Sequence, residues 1–275
     1  MHGQKKGADM KHLKKSTEAI VLVISYVVLI AANMLGEAFR FGGVTAGDIS
    51  NEVFAWFAPA GYVFAIWSLI YIGLIIWIIR LIRDNQHNRA LPFLPISIEA
   101  ALFAISCVLN IAWLAFWHLR VFPATIPIII ALLVVVAILY FLTWQRSKSP
   151  IDRVPLAIYT SWLVIATIAN IAHVATRETT SDAGLIPVIS TLVLLIALVV
   201  ATYVVRRIFN EYAFGLVVAW AGIGIGVRII SLSPIIGVVI ILVSTIGIAA
   251  ALIPWENITI KRKANNPLGS TSSTK

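Results

Sequence analysis

Eight apolar runs dominate the chain: Ile20–Leu35, Tyr62–Ile82, Ile96–His118, Phe122–Trp144, Val154–Val174, Leu185–Val205, Tyr212–Ile229 and Ile235–Ile253. A helix needs about 20 apolar residues to cross a ~30 Å hydrocarbon core. Each run therefore reads as a span. Helix is the only conformation that satisfies its own backbone in lipid without strand partners, and the short alternating segments of a membrane barrel are absent from the sequence. The expected fold is an all-α integral membrane protein of about eight transmembrane helices. Composition agrees, with 60% hydrophobic and 12% charged residues, against roughly 25% charged in soluble domains. No room remains for a separate soluble domain.

The net charge of +9 could indicate nucleic acid. The positions of the cations argue for topology instead. With the N-terminus inside, inner segments hold 17 Lys and Arg, among them Arg80, Arg83, Arg146, Arg153, Arg206 and Arg207, and outer segments hold four: Arg40, Arg120, Arg177 and Arg228. This is the positive-inside pattern. It places both termini in the cytoplasm, and the expected location is a bacterial cytoplasmic membrane. Four regions follow: a basic tail (1–19), a five-helix part (20–178), a three-helix part (179–260) and a basic, Asn/Ser/Thr-rich tail (261–275), expected to be disordered. Trp144 and Trp255 fall at the inner interface and Trp56 near the outer one, as in an aromatic belt.

Polar and aromatic residues at depth carry the functional signal. Asn33, Asn110 and Asn170 each lie late in an outward-running helix, and His118 and His173 end two of the same helices. Trp67 and Tyr71 open an inward-running helix at that depth. Trp113 and Trp117 follow Asn110. Residues three or four apart share a helix face, so Asn110 pairs with Trp113 and Trp67 with Tyr71. Such a layer suits a flat apolar ligand. The asparagines equally suit plain interhelical hydrogen bonding.

Other features are weaker. Glu99 starts the third span, where the helix dipole favours a carboxylate cap. Arg228 can reach outer water by snorkelling. The Gly222-Ile-Gly-Ile-Gly226 stretch reads as close helix packing. Val199-x-x-x-Tyr203-x-x-Arg206 fits a proposed cholesterol pattern. Cys107 is the single cysteine, so no internal disulfide forms, and there is no metal-ligand spacing, phosphate loop, catalytic triad or intramembrane lysine. No cofactor or metal is called for, and no catalytic residue stands out.

Three motifs in order resemble one family. Pro59-Ala60-Gly61-Tyr62-Val63-Phe64-Ala65-Ile66-Trp67-Ser68-Leu69-Ile70-Tyr71 is similar to the first loop and second helix of the TspO/translocator proteins, also called tryptophan-rich sensory proteins. Leu109-Asn110-Ile111-Ala112-Trp113 resembles their Leu-Asn-x-x-Trp. Tyr159, Trp162 and Asn170 match the spacing of their fifth helix. The sequence departs at Ala60, Tyr62 and Ile158, and it has no tyrosine in Ala175-Thr176-Arg177.

The resemblance covers about residues 20–175. It implies a five-helix bundle binding a porphyrin or similar tetrapyrrole, as sensor or carrier. Carried over, Trp67, Tyr71, Asn110, Trp113, Trp162 and Asn170 line the site and Pro59 sits in the covering loop. Trp162 is expected deeper than the rest. Helices six to eight are an addition, packed on the bundle or used for self-association as a homodimer. Secondary transport of a small solute and light-dependent porphyrin degradation remain alternative functions. The expected partners are the bilayer and a hydrophobic small molecule.

Overall fold

The computed structural model describes residues 2–83, 95–178 and 185–254, with side chains from Ser16 onward except Phe41. Pro92, Trp255 and the C-terminal tail lie outside the described residues. Among the described residues, eight helices are long and apolar enough to cross a membrane: Ser16–Glu37, Gly61–Arg83, Ile98–His118, Phe122–Arg146, Pro150–Glu178, Leu185–Phe209, Ala213–Ile230 and Pro234–Leu252. They match the expected runs to within a turn or so at each end. The protein is an all-α integral membrane protein.

The elements are α1 (His2–Glu37), short α2 (Ala46–Ser50), α3 (Ile66–Arg83, entered through a 3₁₀ turn at Gly61–Ala65), α4 (Ile98–His118), α5 (Phe122–Arg146), α6 (Pro150–Glu178), α7 (Leu185–Phe209), α8 (Ala213–Ile230) and α9 (Pro234–Leu252, with a π turn at Val243–Gly247). Helix α1 runs unbroken from His2, so the basic segment before the first span is helical.

Helices α1, α4, α5, α6 and α3 form a closed ring, each packed on the next, and α3 returns to α1. At the end of the ring carrying Arg80 and Arg146, three joints have a polar tie. The Glu18 carboxylate of α1 accepts from Ser97 N–H (3.2 Å) and Ser97 Oγ (2.8 Å). Arg80 of α3 donates to Asp152 of α6 from both Nε and Nη2. Glu99 of α4 lies 3.9 Å from Arg146 of α5. The expected Glu99 cap is corrected here: Ser97 Oγ accepts from Ala100 N–H and caps α4, while Glu99 turns toward Arg146. Gly73 lets α3 close on α6, where a Cβ would stand 3.2 Å from Pro155 Cβ.

The last three helices pack on the ring through α8, which lies along α6, with α7 and α9 behind it. Gly222 and Gly226 face α9: a Cβ on Gly222 would fall 2.1 Å from Ser244 Oγ, and one on Gly226 2.8 Å from Gly237 O. The glycine stretch is a close-packing face, as its sequence indicates. Arg206, the last residue of the cholesterol-like pattern, is buried and donates from Nε to Ala251 O (2.8 Å). That guanidinium joins α7 to α9.

Candidate functional site

The segment between α1 and α3 folds back over the ring end opposite Arg80. A capping box starts α2: Asp48 N–H donates to Thr45 Oγ1 (3.0 Å), and Thr45 N–H donates to Asp48 Oδ2 (2.8 Å). The Thr45 backbone N–H, and secondly the Thr45 hydroxyl, hold the Asp48 carboxyl below its usual range. Helix α2 is pinned from both neighbours. Trp117 Nε1 donates to Ala46 O (3.1 Å), and Glu37 accepts from Ala46 N–H (2.9 Å).

The rest of the segment is held by α8. Ala60 N–H donates to Gly224 O (3.1 Å), Trp220 Nε1 to Val63 O (3.2 Å) and Arg228 Nη2 to Val53 O (3.1 Å). Arg228 also stacks over Phe54 at 5.1 Å. The half-buried Arg228 guanidinium is thus engaged by the loop.

Beneath this segment lie two chambers. The smaller, about 30 Å³, is bordered by Pro59, Phe64, Trp67, Trp113, Trp162 and Asn170 among others. It offers about the space one water occupies in the liquid. The larger, about 350 Å³, is bordered by Asn33, Glu37, Phe64, Trp67, Tyr71 and Trp113 among others. Phe64, Trp67 and Trp113 border both and form the partition. Trp67 stacks on Tyr71 (5.7 Å) and meets Tyr159 and Trp162 edge-on (6.0 and 6.2 Å). These separations are those of favourable aromatic pairs.

Two hydrogen-bonded chains surround the chambers. Asn33 Nδ2 donates to Asn110 Oδ1 (3.1 Å) and Asn110 Nδ2 to Tyr159 OH (3.4 Å), linking α1, α4 and α6. Trp113 Nε1 donates to Asn170 Oδ1 (2.8 Å), Asn170 Nδ2 to Thr125 Oγ1 (2.8 Å), and Thr125 Oγ1 to Phe122 O (2.6 Å), linking α4, α6 and α5. Tyr71 OH and Trp162 Nε1, one at each chamber, are buried and have no partner among the described residues.

Six of the seven residues singled out in the sequence border a chamber: Pro59, Trp67, Trp113, Trp162 and Asn170 the smaller, Tyr71 the larger, with Trp67 and Trp113 on both. Asn110 borders neither and serves in the chain to Tyr159. Trp162 and Pro59 border the same small chamber. His173 lies behind the site between Trp117 (4.8 Å) and Phe122 (4.9 Å), and His118 packs near Gly36. Phe64, Ser50 and Thr125 were not singled out. Phe64 sits in the quoted motif, and Thr125 is signalled only by a hydroxyl early in an apolar span. No group of His, Cys, Asp and Glu suited to a metal occurs among the described residues.

These features define a polytopic membrane protein whose helical ring encloses an aromatic chamber under a pinned loop. The chain matches the family model for TSPO-like protein over residues 19–253, and it belongs to that family. The match extends through α9, so the last three helices fall within the family pattern and the resemblance reaches beyond residue 175. No curated protein and no solved structure matches it.

Proposed function

We propose that this protein binds one flat, largely apolar molecule of the tetrapyrrole class in the joined chambers, as a sensor or carrier. The observation that carries this reading is the pair of buried, unpartnered donors, Tyr71 OH and Trp162 Nε1. Burying a donor without a partner costs about 1–3 kcal/mol. A polar periphery on a flat ligand would recover that cost, while Phe64, Trp67 and Trp113 supply ring faces. The larger chamber, about 350 Å³, lies at the small end of ligand sites, ~300–1,000 Å³. Rotation of Trp67 or Phe64 would merge it with the smaller one. Entry requires the loop held by α8 to shift. The excess of Lys and Arg at the Arg80 end argues that this end faces the cytoplasm and the chambers the other side.

The test is tryptophan-fluorescence quenching of the detergent-solubilised protein titrated with protoporphyrin IX. The expected result is saturable quenching at micromolar affinity, weakened at least about tenfold (~1.4 kcal/mol) in Trp67→Phe and Trp113→Phe. Linear, non-saturating quenching in the wild type overturns the proposal.

A further inference from the structure

A cavity larger than either chamber lies elsewhere, at the seam where α8 joins the ring. This groove, about 710 Å³, runs between α3, α6 and α8. Its walls are apolar: Ile66, Ala213 and Val217 are buried in its floor, and Leu69, Leu216 and Trp220 are substantially exposed along it. Exposed apolar walls within a membrane span face lipid tails. From Ala213 to Trp220 the groove covers about 10 Å of helix rise. That is most of one leaflet's ~15 Å half of the hydrocarbon core.

One end of the groove is charged. Arg153 and Glu211 line it beside Pro150 and Asn210, at the start of α6 and of α8. Arg153 Nε is buried and has no partner among the described residues. Glu211 Oε1 accepts from the backbone N–H groups of Tyr212 and Ala213 (3.1 Å each), which fixes a negative charge at the same mouth. A buried guanidinium nitrogen calls for a charge-assisted acceptor. A net-anionic headgroup would meet repulsion from Glu211. A trimethylated amine has no N–H to give that carboxylate. A phosphate carrying a primary ammonium satisfies both.

We infer that this groove holds one phospholipid with a primary-amine headgroup, its phosphate beside Arg153, its ammonium beside Glu211 and an acyl chain between α3, α6 and α8. The lipid seals the joint between the ring and α8. Trp220, which lines the groove, also donates to Val63 O of the covering loop, so the bound chain touches a residue that holds that loop. The groove shares Ala65 with the larger chamber as a common wall, and its proposed occupant does not depend on what the chambers bind.

Native mass spectrometry of the full-length protein, equilibrated with equal amounts of phosphatidylethanolamine, phosphatidylcholine and phosphatidylglycerol of matched acyl chains, tests the inference. The expected result is one phosphatidylethanolamine retained about tenfold over either competitor. Arg153→Gln removes that retention. Glu211→Gln keeps an oxygen for the two N–H groups and abolishes the preference over phosphatidylcholine. Leu69→Trp fills the groove and lowers retention of all three. Thermal melting of each variant reports folding, and the wild-type competition decides even where a variant fails to fold. Equal retention of the three lipids, a preference for phosphatidylglycerol, or a lipid-free homodimer in the wild type overturns the inference.

Discussion

Val63 occupies the place where a side chain on Gly224 would stand: a Cβ there would lie 2.1 Å from Val63 Cγ2 and 3.4 Å from Pro59 Cβ. Val63 and Pro59 belong to the segment that covers the chambers, and Gly224 belongs to α8. The missing side chain lets the two backbones approach until Ala60 N–H reaches Gly224 O. Among the last three helices, α8 therefore takes part in the site without lining it. It holds the cover.

Gly224→Val tests that relationship. Overpacking a fitted contact costs roughly 1–3 kcal/mol, and here the loop is the movable partner. Hydrogen exchange over residues 53–65 is expected to speed up, and a bound porphyrin to dissociate faster. Adding Val63→Ala should restore part of the protection by returning the space. Unchanged exchange in Gly224→Val would show that α8 does not hold the loop.

Asn170 sits between Trp113 Nε1, from which it accepts, and Thr125 Oγ1, to which it donates. Asn170→Ala leaves the indole N–H without its acceptor. The expected loss is about 1–2 kcal/mol in a detergent unfolding titration, in the range for orphaned donors and for polar contacts between membrane helices. Porphyrin affinity should fall too, because Trp113 loses the bond that fixes its ring. A variant as stable as wild type, with full affinity, would mean that the chain through Asn170 does not order the site.

The helices were legible because length and hydrophobicity suffice to mark a span, and Trp67, Tyr71 and Trp113 were legible from shared depth and helix face. What escaped was mostly what depends on tertiary contact. In a membrane, an apolar residue facing lipid and one facing a helix look alike, because lipid tails are as apolar as leucine. Nothing in the run Ala213–Ile230 therefore marks Trp220, Gly224 and Arg228 as holders of a loop some 160 residues earlier. Glu99 reads as a cap from its place at the start of the third span, where the dipole favours a carboxylate. The helix begins at Ile98, and Ser97 takes the cap.

The capping box of α2 has a pH signature. The Asp48 carboxyl is held below its usual range, chiefly by Thr45 N–H and secondly by Thr45 Oγ1. A folded pKa below the unfolded one means that the stabilisation is present at neutral pH and fades as pH falls through the folded value. An NMR titration of the Asp48 carboxyl carbon should give a midpoint below the ordinary ~3.9. Thr45→Ala should raise it part of the way, since the backbone N–H remains. Equal midpoints in the two proteins would mean that the hydroxyl contributes nothing to the charge at the start of α2.

Tyr71→Phe separates a group kept for ligand from one kept for folding. Tyr71 OH is buried, borders the larger chamber and has no partner. In the empty protein that hydroxyl is a cost, so its removal should leave stability unchanged or raise it by up to about 1–3 kcal/mol. The ring stays, and with it the stacking on Trp67. Ligand affinity should move the other way and weaken about tenfold, because the bound molecule loses a hydrogen-bond donor. A paired measurement of detergent unfolding and porphyrin titration reads both signs on one preparation. If stability falls and affinity holds, the hydroxyl serves the fold, and the ligand does not reach Tyr71.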